Sequence, residues 1–144
     1  MIYLDSTYIV KCYVNERGTA EVLHLVQSHP GRGSCLHGRL EVWTGIHRQV
    51  REANLAVADA QRVWTQFRAD EAEGLWTFFP VTAPLIQQAC GVVERLSGSM
   101  FVRAADALHL MCAKEQGFAE IYSNDRHLLT AAPHFGLVGS NVIS

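Results

Sequence analysis

The chain has 144 residues, of which 49% are hydrophobic, so it has enough apolar material for the core of one domain and is not a disordered chain. Its formal net charge of -2, from 12 basic and 14 acidic side chains, is not the strongly basic balance of many nucleic-acid-binding proteins. No apolar stretch approaches the ~20 residues of a membrane span, the N-terminus has no secretory leader pattern, and the four cysteines form no CxxC pair. We therefore expect a single domain over residues 1–144, in the reducing cytoplasm and away from membranes.

Short β-prone runs alternate with amphipathic helices along the first half of the chain. The apolar run Ile2-Tyr3-Leu4 predicts a strand, and a carboxylate, Asp5, follows it directly. Apolar spacing and turn residues predict the elements that come next: helices at Thr7–Val14 and Thr19–Ser28, a strand at Ser34–Leu36, helices at Arg39–Glu52 and Val57–Ala72, and an aromatic β-prone run at Leu75–Pro80.

The alternation continues to the C-terminus. Thr82 is predicted to cap a helix that ends before Ser97-Gly98-Ser99. The remaining predictions are a helix at Arg103–Gln116, a strand at Ile121–Ser123, one or two helical turns at His127–Ala132 and a last strand at Gly136–Val138. Strands that alternate with helices are typical of α/β proteins, so we predict a three-layer α/β/α sandwich with a central parallel sheet.

Two acidic residues recur at the ends of predicted strands. Asp5 follows the first strand and Asp125 follows the strand at Ile121–Ser123. Sites in open parallel sheets form outside the carboxyl ends of the strands, so these two acids can meet although they are distant in the sequence. Asp106 and Glu41 lie near the starts of two predicted helices whose first turns can point at the same crevice. Each acid also has an ordinary interpretation as a turn residue, a helix cap or an exposed helix residue.

Asp106 is the hardest of these acids to explain as an ordinary surface residue. Small and apolar residues surround it in RAADALHLMCA, so we expect it to be partly buried and to need a cation as its partner. A cluster of carboxylates is satisfied by a hard divalent cation, and Mg²⁺ or Mn²⁺ held in this way supports phosphodiester hydrolysis. The seven histidines show no HExxH spacing and the cysteines are scattered, so we expect no zinc site.

Basic charge is concentrated beside one of the acids. Between Gly31 and Arg51 there are four arginines and two histidines against a single acid, Glu41. Without the four acids named above, ten acidic side chains face 12 basic ones, so the rest of the chain carries a net charge of +2. Arginine pairs well with phosphate, which suits contacts with a phosphate-bearing ligand, although a solvated helix surface has the same composition. The arginines that we expect to make such contacts are Arg39, Arg48 and Arg103, the last with the alternative of neutralising nearby Asp106.

Four stretches of the sequence, LDSTYIVKCYVNE, RLEVWTGIHR, RAADALHLMCA and IYSNDRHLLTAA, resemble in order and spacing those of the PIN-domain ribonucleases, in particular the VapC toxins of bacterial toxin–antitoxin pairs. The resemblance covers nearly the whole chain and implies a PIN-like fold. It also implies Mg²⁺- or Mn²⁺-dependent cleavage of RNA by the toxin of a type II pair, a homodimer, and inhibition by a cognate antitoxin protein. The stretch SCLHGRLE departs from the family pattern, which has smaller residues and a Ser or Thr closer to the acid.

The resemblance also assigns roles to individual residues. The carboxylates that would bind the metal and act in catalysis are Asp5, Glu41, Asp106 and Asp125. The polar groups that would orient carboxylates or water beside them are Ser6, Ser123 and Asn124.

Other classes of protein fit the sequence less well. A haloacid-dehalogenase-type phosphatase needs a second Asp two residues after the first, where this chain has Thr7. A response-regulator receiver domain needs a lysine near its last strands, and the only lysines are Lys11 and Lys114. A non-catalytic PIN-like module, which binds RNA or a partner and holds a structural ion at its acids, remains an alternative.

Overall fold

The computed structural model describes residues 1–144 and has a parallel β-sheet at its centre. The five strands are β1 (Ile2–Leu4), β2 (Arg32–Cys35), β3 (Thr77–Phe79), β4 (Glu120–Tyr122) and β5 (Val138–Ser140). The helices are α1 (Ser6–Lys11), α2 (Thr19–Gln27), α3 (Leu36–Arg51), α4 (Val57–Ala72), α5 (Ala83–Glu94), α6 (Ala104–Glu115) and α7 (Arg126–Ala131), and a 3₁₀ helix at Ala132–Phe135 follows α7. The predicted alternation of strands and helices is confirmed.

The order of the strands creates a crevice at one edge of the sheet. The strands lie in the order β3-β2-β1-β4-β5, and every neighbouring pair is parallel. The chain forms β2 and β3 on one side of β1 and then crosses to the other side to form β4 and β5. The order therefore reverses between β1 and β4, and ligands of open parallel sheets bind at the carboxyl ends of the strands at such a reversal. Asp5 directly follows β1, and Ser123 directly follows β4.

Successive side chains of β1 enter two separate cores, as the period of two in a strand requires. Ile2 and Leu4 pack with apolar side chains of α1 to α4. Tyr3 packs on the opposite face with apolar side chains of α5, α6 and α7. Helices thus cover both faces of the sheet, and the predicted three-layer α/β/α sandwich is confirmed.

The predicted boundaries differ from the observed ones by up to three residues. The sequence predicted a strand up to Leu36 and a helix from Arg39, but α3 begins at Leu36, directly after β2. Cys35 has extended dihedral angles and ends the strand at this junction. The earlier start of α3 places His37 and Glu41 one turn apart on the same helix.

Two further differences have local causes. Helix α1 begins at Ser6 because Asp5 caps it, and it ends at Lys11 rather than at the predicted Val14. The last strand begins at Val138 rather than at Gly136, because Gly136 ends the 3₁₀ helix with a φ of 76° that a strand cannot contain. Thr82 caps α5 as predicted, since its side chain accepts a hydrogen bond from the N–H of Leu85.

None of the helices combines the length and the apolar character that crossing a bilayer requires. All four cysteines are free thiols. Cys35 and Cys112 are buried, and Cys90 is exposed.

Candidate active site

Asp5 lies at the carboxyl end of β1 and caps α1. Its Oδ1 accepts a hydrogen bond of 3.0 Å from the backbone N–H of Tyr8. Oγ1 of Thr7 lies 2.8 Å from both this oxygen and Oδ1 of Asn124. Oδ2 of Asp5 accepts a hydrogen bond from the hydroxyl of Ser123, and the residue is 3% exposed. Asp5 is therefore a helix cap, as its ordinary interpretation predicted, and also a group that joins the ends of β1 and β4.

Asp125 lies beyond the end of β4 and caps α7. Its Oδ1 accepts hydrogen bonds from the N–H groups of His127 at 2.8 Å and Leu128 at 3.3 Å. Ser123 connects it to Asp5, because Oγ of Ser123 accepts the N–H of Asp125 at 2.9 Å while it donates to Asp5. A single buried hydroxyl thus holds the two strand-end acids in a fixed relation.

Asp106 lies in the first turn of α6, and Arg103 links it to Asp125. Oδ2 of Asp106 accepts hydrogen bonds from Nε of Arg103 at 3.0 Å and from its backbone N–H at 3.3 Å. Nη2 of the same guanidinium donates to Oδ2 of Asp125 at 2.5 Å. Asp106 is 6% exposed, so it is buried, as the small residues around it predicted, and Arg103 is its cation partner.

Glu41 reaches the same region from α3, where two histidines approach it. Its Oε1 lies 2.6 Å from Nε2 of His109 and 3.5 Å from Nε2 of His37. His109 is buried on α6, three residues after Asp106, so these two side chains lie on one face of the helix. Ser6, the first residue of α1, also lies near Glu41 and acts to lower its pKa.

The protein environment shifts the pKa values of Asp5 and Glu41 in opposite directions. Burial raises the pKa of Asp5 above its ordinary value, against the opposing hydrogen bonds and the positive charge of His109. Burial acts to raise the pKa of Glu41 as well, but the hydrogen bond from His109 and the charges of His109 and His37 outweigh it, so this pKa is lowered. Burial acts to lower the pKa of His37, but the nearby Cys35 and the charge of Glu41 raise it overall. The protein thus disfavours a charge on Asp5 and favours one on Glu41.

The structure connects the predicted carboxylates through other side chains rather than directly. Ser123 and Arg103 join three of them, which are Asp5, Asp125 and Asp106, and His109 holds the fourth, Glu41. No three of these carboxylates place ligand oxygens within 4.8 Å of one another. Like charges repel at short range, and the guanidinium of Arg103 supplies the positive charge that two of the acids share.

The histidines contradict one prediction from the sequence. We expected no histidine cluster that could bind a metal, but His37, Glu41 and His109 place one ligand atom each within 4.8 Å of one another. The spacing of His37 and Glu41, four residues apart on one helix, is a signal that the sequence contains. The sequence gives no sign that His109 joins this cluster, because His109 comes from a helix that is distant in the sequence.

The three arginines that we expected to contact RNA all have acidic partners within the chain. Nε of Arg39 donates to Glu71 of α4 at 2.8 Å, so this side chain is directed towards α4. Arg48 pairs with Glu52 on the exposed side of α3. Arg103 neutralises two of the acids, as its alternative interpretation predicted.

The donors at the crevice are the oxygen ligands that a hard divalent cation prefers, so the residues present fit Mg²⁺ or Mn²⁺. Arg103 is a cation that already lies between Asp106 and Asp125. Its side chain is 56% exposed, so it can turn out into solvent when another cation binds to the two carboxylates.

An all-parallel sheet in this order, with acidic side chains at its reversal point, defines a class of α/β domains with an oxygen-rich site between β1 and β4. The family model of the PIN domain matches residues 2–132, and the chain belongs to this family. A comparison with curated proteins gave no match.

Several solved structures have the same fold. VapC20 from Mycobacterium tuberculosis, described as a toxin that cleaves the sarcin–ricin loop, is 19% identical, with a TM-score of 0.72 over 91% of this chain and 95% of its own. FitAcB from Neisseria gonorrhoeae is 15% identical, with a TM-score of 0.68 over 98% of this chain and 97% of its own. A toxin–antitoxin complex from Klebsiella pneumoniae is 12% identical, with a TM-score of 0.62 over 93% and 94%. These likenesses confirm the predicted PIN-like fold.

Proposed function

We propose that this PIN-domain protein is the toxin of a type II toxin–antitoxin pair, and that it hydrolyses RNA phosphodiester bonds with Mg²⁺ or Mn²⁺. The observation that carries the proposal is the set of linked acids at the reversal point of the sheet. One protein of the same fold is described as a toxin that cleaves the sarcin–ricin loop, which supports RNA as the substrate class. The carboxylates that would hold the cation are Asp5, Glu41, Asp106 and Asp125.

The cation would activate a water for in-line attack on phosphorus and would neutralise the charge that develops on the leaving oxygen. The side chains of the protein position the reacting groups. Ser123 holds Asp5 and Asp125 together, and His109 holds Glu41 beside Ser6. Burial makes the charge on Asp5 costly in the protein alone, and a bound cation would compensate for it.

Two arginines are placed to meet an RNA backbone under this proposal. Arg48 lies seven residues after Glu41, so it is on the same side of α3, about 10 Å further along the helix axis. Arg103 would leave the acids when a divalent cation binds, and its planar guanidinium could then pair with a phosphate. Arg39 would take part only after it leaves Glu71. Asn124 is exposed at the rim of the crevice and would orient water or substrate there.

We further propose that the protein forms a homodimer and binds an antitoxin protein. A toxin–antitoxin complex among the structures of the same fold supports the antitoxin. An apolar groove of about 990 Å³ lies between α5 and α6, and patches of this kind are typical of protein interfaces. Light scattering of the purified chain, alone and with a candidate antitoxin, tests both parts of this proposal.

The decisive test compares the wild type with Asp5→Asn and with a matched control, Asp59→Asn. Asp59 is an exposed acid in the first turn of α4 and pairs with Arg62. After expression in cells, sequencing of RNA 5′ ends is expected to show new ends with the wild type and with the control, and none with Asp5→Asn. With purified protein, EDTA is expected to stop the cleavage and Mg²⁺ or Mn²⁺ to restore it.

The same experiment tests the non-catalytic alternative. An Asp5→Asn protein that binds RNA and slows growth as the wild type does would identify a binding module with a structural ion. Cleavage that continues undiminished in EDTA would contradict the metal-dependent mechanism.

A further inference from the structure

His37, Glu41 and His109 form a compact ligand set beside the acids of the proposed nuclease site. One ligand atom of each lies within 4.8 Å of the others. Neighbouring ligands of a tetrahedral zinc ion are ~3.3 Å apart when each lies ~2.0–2.1 Å from the metal. The 3.5 Å between Nε2 of His37 and Oε1 of Glu41 already fits this spacing. The 2.6 Å between Nε2 of His109 and the same oxygen would have to open by less than ~1 Å.

The backbone of α3 is adapted to the approach of His109. A Cβ atom at Gly38 would lie 2.9 Å from Cε1 of His109 and 2.9 Å from Oγ of Ser34. Only a residue without a side chain leaves this space, and it lies between His37 and Glu41 on the helix. The close contact of α3 with the imidazole of α6 therefore depends on a glycine inside the ligand set.

The second nitrogen of His109 is held by a buried partner. Nδ1 of His109 lies 2.9 Å from the hydroxyl of Tyr3, and this hydroxyl accepts the N–H of Cys35 at 3.0 Å. Histidines that bind metals commonly use their other ring nitrogen in such a bond, which fixes the ring and its tautomer. In the metal-free protein Nε2 donates to Glu41, and a metal ion would take the place of that proton while Nδ1 keeps its bond to Tyr3.

The hydrogen bonding of His37 is incomplete. Its Nε2 lies 3.1 Å from the carbonyl oxygen of Ala105, while its Nδ1 is buried and has no hydrogen-bond partner. Buried polar atoms of proteins are ordinarily satisfied, so an unpaired ring nitrogen needs an explanation. Only Nε2 of His37 is therefore held by the protein, and a metal bound there would replace its bond to Ala105.

We propose that His37, Glu41 and His109 bind a divalent transition-metal ion of the class of Zn²⁺ and Co²⁺, at a site that lies beside the proposed Mg²⁺ site and shares Glu41 with it. Two imidazole nitrogens and one carboxylate suit metals of borderline softness, whereas Mg²⁺ prefers oxygen ligands. Three protein ligands leave at least one coordination position for water or substrate. Glu41 is common to both sites, so an ion bound here removes one carboxylate from the other. The proposal concerns ion binding alone and does not require the chain to be a nuclease.

The experiment adds Co²⁺ to untagged protein and follows its visible absorption. All forms carry Cys90→Ser, because Cys90 is the exposed thiol. The wild type is expected to bind a single equivalent in a low-symmetry site, with Zn²⁺ displacing the Co²⁺ and excess Mg²⁺ leaving it in place. His37→Gln is expected to weaken binding at least about tenfold. His47→Gln changes an exposed histidine on the same helix and is the matched control, for which we expect no change.

Two further variants complete the design. Glu41→Gln removes the shared carboxylate, whose side chain is 34% exposed, and serves as a second ligand variant if His37→Gln does not fold by circular dichroism. Asp5→Asn is expected to keep the Co²⁺ absorption, so a failure of the nuclease proposal and a failure of this one give different results. Co²⁺ binding by a folded His37→Gln or Glu41→Gln protein that equals the wild type overturns the proposal. Displacement of Co²⁺ by Mg²⁺ as effectively as by Zn²⁺ also overturns it.

Discussion

Replacement of Asp5 by Asn is expected to make the protein more stable at neutral pH, although it removes a proposed metal ligand. Burial raises the pKa of Asp5, so the fold carries the cost of an ionised group that prefers water. Asn is as good a helix cap as Asp, so it can accept the N–H of Tyr8 in the same way, and its amide can donate to Ser123. A buried polar group whose loss of hydration is not compensated costs ~1–3 kcal/mol, and because hydrogen bonds offset part of this cost at Asp5 we expect the free energy of unfolding to increase by ~1 kcal/mol.

The pH dependence of this effect has a definite sign. Because the pKa of Asp5 is higher in the folded protein than in the unfolded chain, the folded state keeps the proton after the unfolded state has lost it. The resulting stabilisation is fully present below the ordinary pKa of Asp and disappears as the pH rises through the raised pKa. Asp5→Asn lacks this dependence. The difference in stability between variant and wild type is therefore small in acid and grows towards neutral pH.

Urea unfolding in EDTA at a series of pH values measures this difference. Asp59→Asn, at an exposed site on α4, is the control and is expected to follow the wild type at every pH. An Asp5→Asn protein that is less stable than the wild type at neutral pH would refute the reasoning. That result would mean that the three hydrogen bonds to the carboxylate outweigh the cost of its burial.

Three further predictions concern the groups around Asp5. Ser123→Ala is expected to lower the free energy of unfolding by about 2–4 kcal/mol, because it leaves Oδ2 of Asp5 and the N–H of Asp125 without partners. Arg103→Ala is expected to destabilise the metal-free protein and to increase its affinity for Mg²⁺ in calorimetry, because the guanidinium competes with the metal for Asp106 and Asp125. Mg²⁺ at a hundred times its Kd is expected to stabilise the wild type by about 2.7 kcal/mol and to have no such effect on Asp5→Asn.

Matched variants serve as controls for these measurements. Ser99→Ala removes an exposed hydroxyl and is expected to leave the free energy of unfolding unchanged. Arg62→Ala removes an arginine from an exposed ion pair on α4 and is expected to leave the affinity for Mg²⁺ unchanged. A loss in Ser123→Ala no larger than in its control would contradict the bridging role of Ser123. An Arg103→Ala protein with weaker Mg²⁺ binding would show that Arg103 supports the site rather than competing for it.

The fold was predicted well because apolar runs, helical periods and capping residues each lie within a short stretch of sequence. The run Ile2–Leu4 is a strand because three apolar residues precede a capping carboxylate, and Val57–Ala72 was predicted with the observed boundaries because its helical period is uninterrupted. The start of α3 was predicted three residues too late, since nothing in the sequence around Cys35 shows that the extended chain turns into a helix there. Residues that follow strands were correctly placed near one another, because the ends of parallel strands β1 and β4 are adjacent.

The parts of the site that the sequence did not predict depend on contacts between distant elements. His109 meets Glu41 only because α3 and α6 pack beside the same strand end, with Gly38 allowing the approach. The bridge from Arg103 to Asp125 likewise joins α6 to the loop after β4. Composition and spacing identify the acids, but the neighbours that set their pKa values come from the tertiary structure.

The position of Arg103 bears on the choice between a structural ion and an ion used in a reaction. A structural ion is needed for folding when the acids around it have no other source of positive charge. Here the guanidinium already bridges Asp106 and Asp125, and hydrogen bonds from Ser123 and Tyr8 hold Asp5. The acids therefore have partners within the chain, and we expect the circular dichroism of the protein to persist in EDTA. If the fold persists in this way, an ion at a site that includes Asp5, which the fold keeps buried at a cost, is better explained by binding and chemistry than by structure.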